Sequence, residues 1–220
     1  MGYHIDAEEI SLDDLLKRLE ETDLVPGRAS LLDGIESKFK ALEQQGIITL
    51  ADLRKELKNS KRLEAVATLT GLDTNYLVLL RREIESFFPK PIALKALDWL
   101  PQGEIARLEE YGLRDTAAVY EAASRSKNLS DLAKKTGLDV AMLEKFVQLA
   151  DLTRVQWVSP TVARMLVEAD YDSAFIVAAA DAGDLCDSLM RVNAGGRFFK
   201  GKIGLRDIKR LIRAAGHVPN

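Results

Sequence analysis

One cysteine, two histidines and six prolines are spread over 220 residues. The single Cys186 excludes an intramolecular disulfide and suits a reducing cytoplasm. His4 and His217 stand near opposite chain ends, which gives a zinc site or a histidine-centred triad little to be built from. Long apolar runs are missing as well; none approaches the roughly 18 residues a membrane span needs. The opening MGYHIDAEEIS is acidic and lacks an apolar core, so no signal peptide is expected there. Asp6 stands where an acylation motif wants Ser or Thr. These absences predict a cytoplasmic protein with no membrane association, no metal and no cofactor.

Charge of one sign is also scarce. The formal net charge is −3, which argues against wholesale electrostatic attraction to DNA or membranes. Its distribution is uneven. Residues 191–220 hold eight Lys/Arg and one acid, Asp207, whereas residues 1–190 hold 23 Lys/Arg and 33 acids.

What the chain does contain is a repeat. Residues 42–80 and 108–146 align at a constant offset of 66 without a gap, and 13 of 39 positions are identical. The matches include Leu42/Leu108, Gly46/Gly112, Lys61/Lys127 and a Thr-Gly-Leu-Asp block at 70–73 and 136–139. Internal duplication follows. A weaker third copy begins near Trp157: aligning Leu166 with Leu42 and Leu108 sets Trp157 opposite Trp99, so both tryptophans fall at one repeat position. This copy lacks the Thr-Gly-Leu-Asp block and reads as a diverged, capping unit.

Each unit reads as helices with short connections. Leu42, Gly46 and Ile47 describe a helix end with a glycine stop. Thr49 caps the next helix; Leu63, Val66, Ala67 and Leu69 line a third, ended by Gly71; Asp73 caps a fourth through Leu77, Leu80 and Ile84. Ser11 with Asp14 resembles a capping box for an earlier helix, which Val25-Pro26-Gly27 ends. Pro89 and Pro91 mark a join. Alternating strand patterns are scarce, so the expected fold is all-α. It is divided into an N-terminal helical extension (1–30), two repeat units (31–90 and 91–150) and a diverged third unit (151–220).

The hairpins before Leu42, Leu108 and Leu166 resemble the helix-hairpin-helix family. There a Gly-apolar-Gly turn offers backbone N–H groups to a DNA phosphate, as helix starts do in general. The corresponding triplets here are Asp33-Gly34-Ile35, Trp99-Leu100-Pro101 and Trp157-Val158-Ser159, and none keeps either glycine of that pattern in place. The turn at Trp157, Ser159 and Thr161 keeps a good helix start, so it is the hairpin candidate for phosphate contact, against plain helix packing. The Ala67–Gly71–Leu77 and Ala133–Gly137–Leu143 spacings also suit a helix-turn-helix. The first offers Asn75, Arg81 and Arg82 beside Glu83 and Glu85; packing explains both.

The C-terminal segment is the sharper candidate. On a helix over Leu205–Ala215, Arg206, Lys209, Arg210 and Arg213 share one face, opposite Leu205, Ile208, Leu211 and Ile212. Arg197, Lys200 and Lys202 precede it in a flexible, glycine-rich basic loop with Phe198 and Phe199. Such a surface suits DNA or RNA phosphates, an acidic protein partner, or solvent alone. It carries no phosphate-loop signature. The acids Asp181, Asp184 and Asp187 read as a solvated face, and Cys186 as a buried thiol.

Taken together, TDLVPGRASLLDGI, LADLRKELKN, YLVLLRREIESFFPKP, LTRVQWVSPTVARMLVEA and FFKGKIGLRDIKRLI resemble a bacterial family of uncharacterised proteins with helix-hairpin-helix-like repeats. The resemblance implies an all-α fold and a bacterial cytoplasmic setting and brings no activity or ligand. The expectation is a non-enzymatic binding module: sequence-nonspecific nucleic-acid binding through 197–213, or a protein–protein adaptor without nucleic-acid affinity.

Overall fold

A computed structural model describes residues 2–126 and 129–219; Lys127 of the repeat alignment lies outside them. The chain is all-α. Among the described residues the only strand-like pairings are two isolated antiparallel bridges, Ser11 with Thr49 and Ala93 with Asp115, and no helix is long and apolar enough to cross a membrane. Two compact units form, Asp6–Phe88 and Met1–Ile5 with Pro89–Asn220.

The N-terminal unit holds α1 (Leu12–Glu21), a 3-10 segment (Pro26–Leu32), α2 (Ile35–Glu43), α3 (Leu50–Glu56), α4 (Ser60–Thr70) and α5 (Thr74–Glu85). Polar side chains set its helix starts by taking an otherwise unpaired backbone N–H. Ser11 Oγ accepts from Asp14 N–H at 3.1 Å, and Asp73 Oδ1 from Tyr76 N–H at 3.0 Å. Thr49 and Asp52 form a reciprocal capping box. Leucines such as Leu15, Leu19, Leu53, Leu77 and Leu80 fill the interior. Two details differ from the sequence pattern. Helix α1 stops at Glu21 because Thr22 turns extended and bonds back to the Arg18 carbonyl through both its N–H and its hydroxyl. Leu69 is 66% exposed, because α4 buries only Leu63 and Val66.

The C-terminal unit holds a 3-10 turn (Leu94–Ala96), α6 (Gln102–Glu110), α7 (Thr116–Arg125), α8 (Leu129–Thr136), α9 (Val140–Leu152), α10 (Pro160–Glu168), α11 (Ala174–Ala178), α12 (Ala182–Val192) and α13 (Leu205–Gly216). One continuous core runs from Leu94 to Ala215, so segments 91–150 and 151–220 share an interior. Residues near the N-terminus contribute to it: Tyr3 is buried, with its hydroxyl hydrogen-bonded to Thr116 Oγ1 (2.9 Å) and Thr153 Oγ1 (3.1 Å).

One turn recurs three times. Four residues after Leu42, Leu108 and Leu166 the chain enters the left-handed region, at Gly46 (φ 77°), Gly112 (φ 80°) and Asp170 (φ 64°). The next N–H, of Ile47, Leu113 or Tyr171, donates back to the carbonyl of that leucine at 3.3, 3.0 and 2.9 Å. A capped helix follows each time, at Thr49, Asp115 and Ser173. Its first N–H is taken by the Ile10 carbonyl, the Ile92 carbonyl and the Asp151 carboxylate respectively. In the third case an aspartate occupies the glycine position, and a side chain replaces the backbone acceptor.

Candidate nucleic-acid interface

The site is built on α12, the loop after it, and α13. Helix α13 presses Ile208, Leu211, Ala214 and Ala215 into the core, packing on α11 and α12. That burial fixes which side of the helix meets solvent. Arg206, Lys209 and Arg213 are exposed along its outer side. Arg210 is not: its side chain is only 11% exposed, with Nη1 3.4 Å from Asp207 Oδ1. Lys209 lies close enough to Asp181 to be felt there. The Asp181 carboxyl is held below its usual range chiefly by the N–H groups of Asp184 and Gly183, which it accepts as the α12 cap, and least by Lys209.

The loop is tied rather than loose. Asn193 Oδ1 accepts the N–H groups of Phe198 and Phe199, both at 3.0 Å, and its Nδ2 donates to the Phe199 carbonyl at 2.8 Å. Two consecutive left-handed residues, Gly195 (φ 69°) and Gly196 (φ 72°), let the chain curl around that side chain.

Arg197 is neutralised where it stands. Its Nη1 reaches Glu168 Oε2 at 2.7 Å, while Arg164 Nε holds Oε1 of the same carboxylate at 2.9 Å. Both guanidinium groups lie over the Phe198 ring, at 4.5 and 5.0 Å from its centre, and Arg164 also reaches the Trp99 ring at 5.3 Å. Arg164 and Glu168 were not candidates from sequence; their i,i+4 spacing on α10 was the only local sign.

Lys200 and Lys202 are exposed, and Phe199, just before them in the chain, is 51% exposed. The ring lies so close over Gly201 that a Cβ there would sit 2.3 Å from it. Of the seven basic candidates, Lys200, Lys202, Arg206, Lys209 and Arg213 are exposed, whereas Arg197 is exposed but clasped by Glu168.

The hairpin candidate is placed differently. Trp157 is left-handed (φ 69°) and 47% exposed, in a conformation glycine would adopt more easily. Ser159 Oγ is spent on its own helix, accepting from Val162 N–H at 3.3 Å, and Pro160 has no N–H. Exposed Thr161 is left at that helix start. In the helix-turn-helix reading, Asn75 and Arg82 are exposed, Arg81 is half-buried and Glu83 is buried.

The fold and this face define an all-helical protein with a basic, aromatic-bearing C-terminal surface. Residues 101–218, more than half of the chain, match the family model described as Domain of unknown function (DUF4332), and the protein belongs to that family. No curated protein and no solved structure matches it.

Proposed function

We propose that the chain is a non-enzymatic binding module that holds single-stranded nucleic acid without sequence preference, through Phe199, Lys200, Lys202, Arg206, Lys209 and Arg213. The observation that carries this reading is the Phe199 ring, whose tip lies against Gly201, half-exposed, and followed in the chain by the exposed Lys200 and Lys202. A base stacked on such a ring is worth about 1–3 kcal/mol, and lysines beside it meet the flanking phosphates. A duplex offers no unstacked base to that ring. The recurring turn supports three copies of one helix-hairpin-helix-like unit, of which the third has drifted furthest. Cys186, buried in the core, suits the reducing cytoplasm of a bacterium.

The test is binding of labelled single- and double-stranded DNA and RNA at low and near-physiological salt. The native chain is compared with R206Q/K209Q/R210Q/R213Q and with F199A. Micromolar binding is expected, with a log–log salt slope that falls by about 0.7 per lost contact to a single strand. F199A should erase the preference for single strands while keeping most of the slope. Binding no better than that of an acidic control protein refutes the reading.

A protein adaptor is the second reading. It is favoured by Phe175 (62% exposed) and Ile176 beside each other on α11, an apolar pair that solvation alone does not explain.

A further inference from the structure

A depression of about 570 Å3 lies in the N-terminal unit. Its walls are Arg54, Lys55 and Lys58, from α3 and the turn after it, and Arg81 and Glu85 from α5. Four cations face one carboxylate, and that carboxylate is already engaged. Arg54 Nε and Nη2 hold Glu85 Oε1 and Oε2 at 2.8 and 3.1 Å, and the same guanidinium lies 3.5 Å from the centre of the Phe88 ring. Other acids on α3 are committed elsewhere. Asp52 accepts the Ile48 and Thr49 N–H groups at the helix start, and Glu56 pairs with Arg62 at 3.0 Å.

Among the described residues, Lys55, Lys58 and Arg81 form no ion pair. Arg81 is half-buried, with Nη1 3.4 Å from the Leu57 carbonyl at the end of α3. Cations at a helix C-terminus are individually favourable, which accounts for Lys55 and Lys58. It covers the Arg81 contact with the Leu57 carbonyl as well, but it leaves three cations facing one another around one concavity, where like charges repel. An anion in the depression relieves that repulsion.

We propose that this depression binds a compact oligophosphate, recognised through its phosphates alone. Guanidinium forks match phosphate oxygens in pairs, and lysines add point charge. All five lining residues carry charge at the tip, so the groups that could fix a ligand here are ionic ones. An excess of three positive charges calls for several negative charges close together, as adjacent phosphates supply. This site is on the other compact unit and does not depend on the nucleic-acid reading.

The experiment is calorimetric and thermal-shift titration of the full chain with inorganic tripolyphosphate. Citrate serves as a carboxylate control, and a short single-stranded oligonucleotide as the phosphodiester arm. Saturable 1:1 binding of tripolyphosphate is expected, weakened about tenfold by K58Q alone and more than about thirtyfold by K55Q/K58Q/R81Q. The unliganded midpoint of K58Q should be unchanged or raised. R206Q/K209Q/R210Q/R213Q should bind tripolyphosphate as the native chain does, which separates this site from the C-terminal face. Absence of saturable binding, citrate binding as tightly, or undiminished affinity in a folded K58Q overturns the proposal. So does an oligonucleotide that competes with tripolyphosphate through these residues at equal affinity.

Discussion

Replacing Glu83 by Gln isolates a charge problem inside the N-terminal unit. Arg18 on α1 is 8% exposed and lies 3.7 Å from the centre of the Phe87 ring. Burial pulls its pKa down to about 10, and the charge of Glu83 works against that pull. Such a drop from the ordinary arginine value corresponds to roughly 3 kcal/mol of unfavourable burial at neutral pH, even with Glu83 in place. Glu83, itself buried, also accepts Arg28 Nη1 at 2.6 Å. E83Q leaves both arginines without a carboxylate, and losing one partner of a buried pair costs about 3–5 kcal/mol. Arg28, a quarter exposed, can turn to water, so the lower end of that range is expected. R18M keeps the packing on Phe87 and removes the buried charge, so it should be neutral or stabilising. In the R18M background, E83Q should cost only about 1 kcal/mol, because the remaining partner is surface-accessible. Arg18 binds its proton more weakly in the folded state. Its penalty is therefore full below about pH 10 and relieved only as pH climbs toward the unfolded value, so the effect of R18M is flat near neutrality. Urea unfolding of the four chains measures all of this. An E83Q variant within 0.5 kcal/mol of the native chain (about the usual scatter for a surface change), or an R18M variant less stable than E83Q, refutes the reasoning.

Gly112→Ala tests the recurring turn. A Cβ there meets nothing within 4 Å, so only the backbone responds; a left-handed penalty of about 1–2 kcal/mol, less about 0.5–1 regained from the unfolded chain, should lower Tm by roughly 2–4 °C. An unchanged Tm contradicts it. Tyr76→Phe should stabilise by about 1 kcal/mol in urea unfolding, because the buried Tyr76 hydroxyl has no hydrogen-bond partner while the ring keeps Lys38 Nζ at 4.1 Å. Burial also raises the Tyr76 pKa, so the native chain loses stability as pH rises above about 10, where only the unfolded phenol ionises; Y76F should lose less over the same range. Glu168→Gln removes the carboxylate that clasps Arg197 and Arg164; if the C-terminal face meets a single strand, affinity should rise severalfold with a salt slope steeper by up to about 0.7 per freed cation.

What could be read in the sequence was local. The caps at Ser11, Thr49 and Asp73 and the left-handed glycines Gly46 and Gly71 depend on residues within four positions, so spacing alone exposes them. The apolar stripe of α13 likewise foretold the burial of Ile208 and Leu211, although Leu205 at its start is 46% exposed. Charge at the candidate site was harder, because it depends on distant partners. Nothing near Arg197 announces that Glu168, 29 residues earlier, neutralises it. Arg210 looked like its neighbours Arg206 and Arg213 until packing turned it inward. The depression in the N-terminal unit joins α3 to α5, so the sequence does not show that Arg81 comes to face Arg54, Lys55 and Lys58.

Tyr3 makes one order of events unavoidable. Its hydroxyl partners, Thr116 and Thr153, come 113 and 150 residues later in the chain. In the chain, the whole 6–88 unit intervenes between the two segments of the other. During synthesis residues 1–5 must therefore wait until the whole 6–88 unit has been made before the partners of Tyr3 appear. Cutting the chain at Pro89 to obtain the downstream unit would leave that core without its stopper, so a faithful dissection has to carry residues 1–5 across the cut.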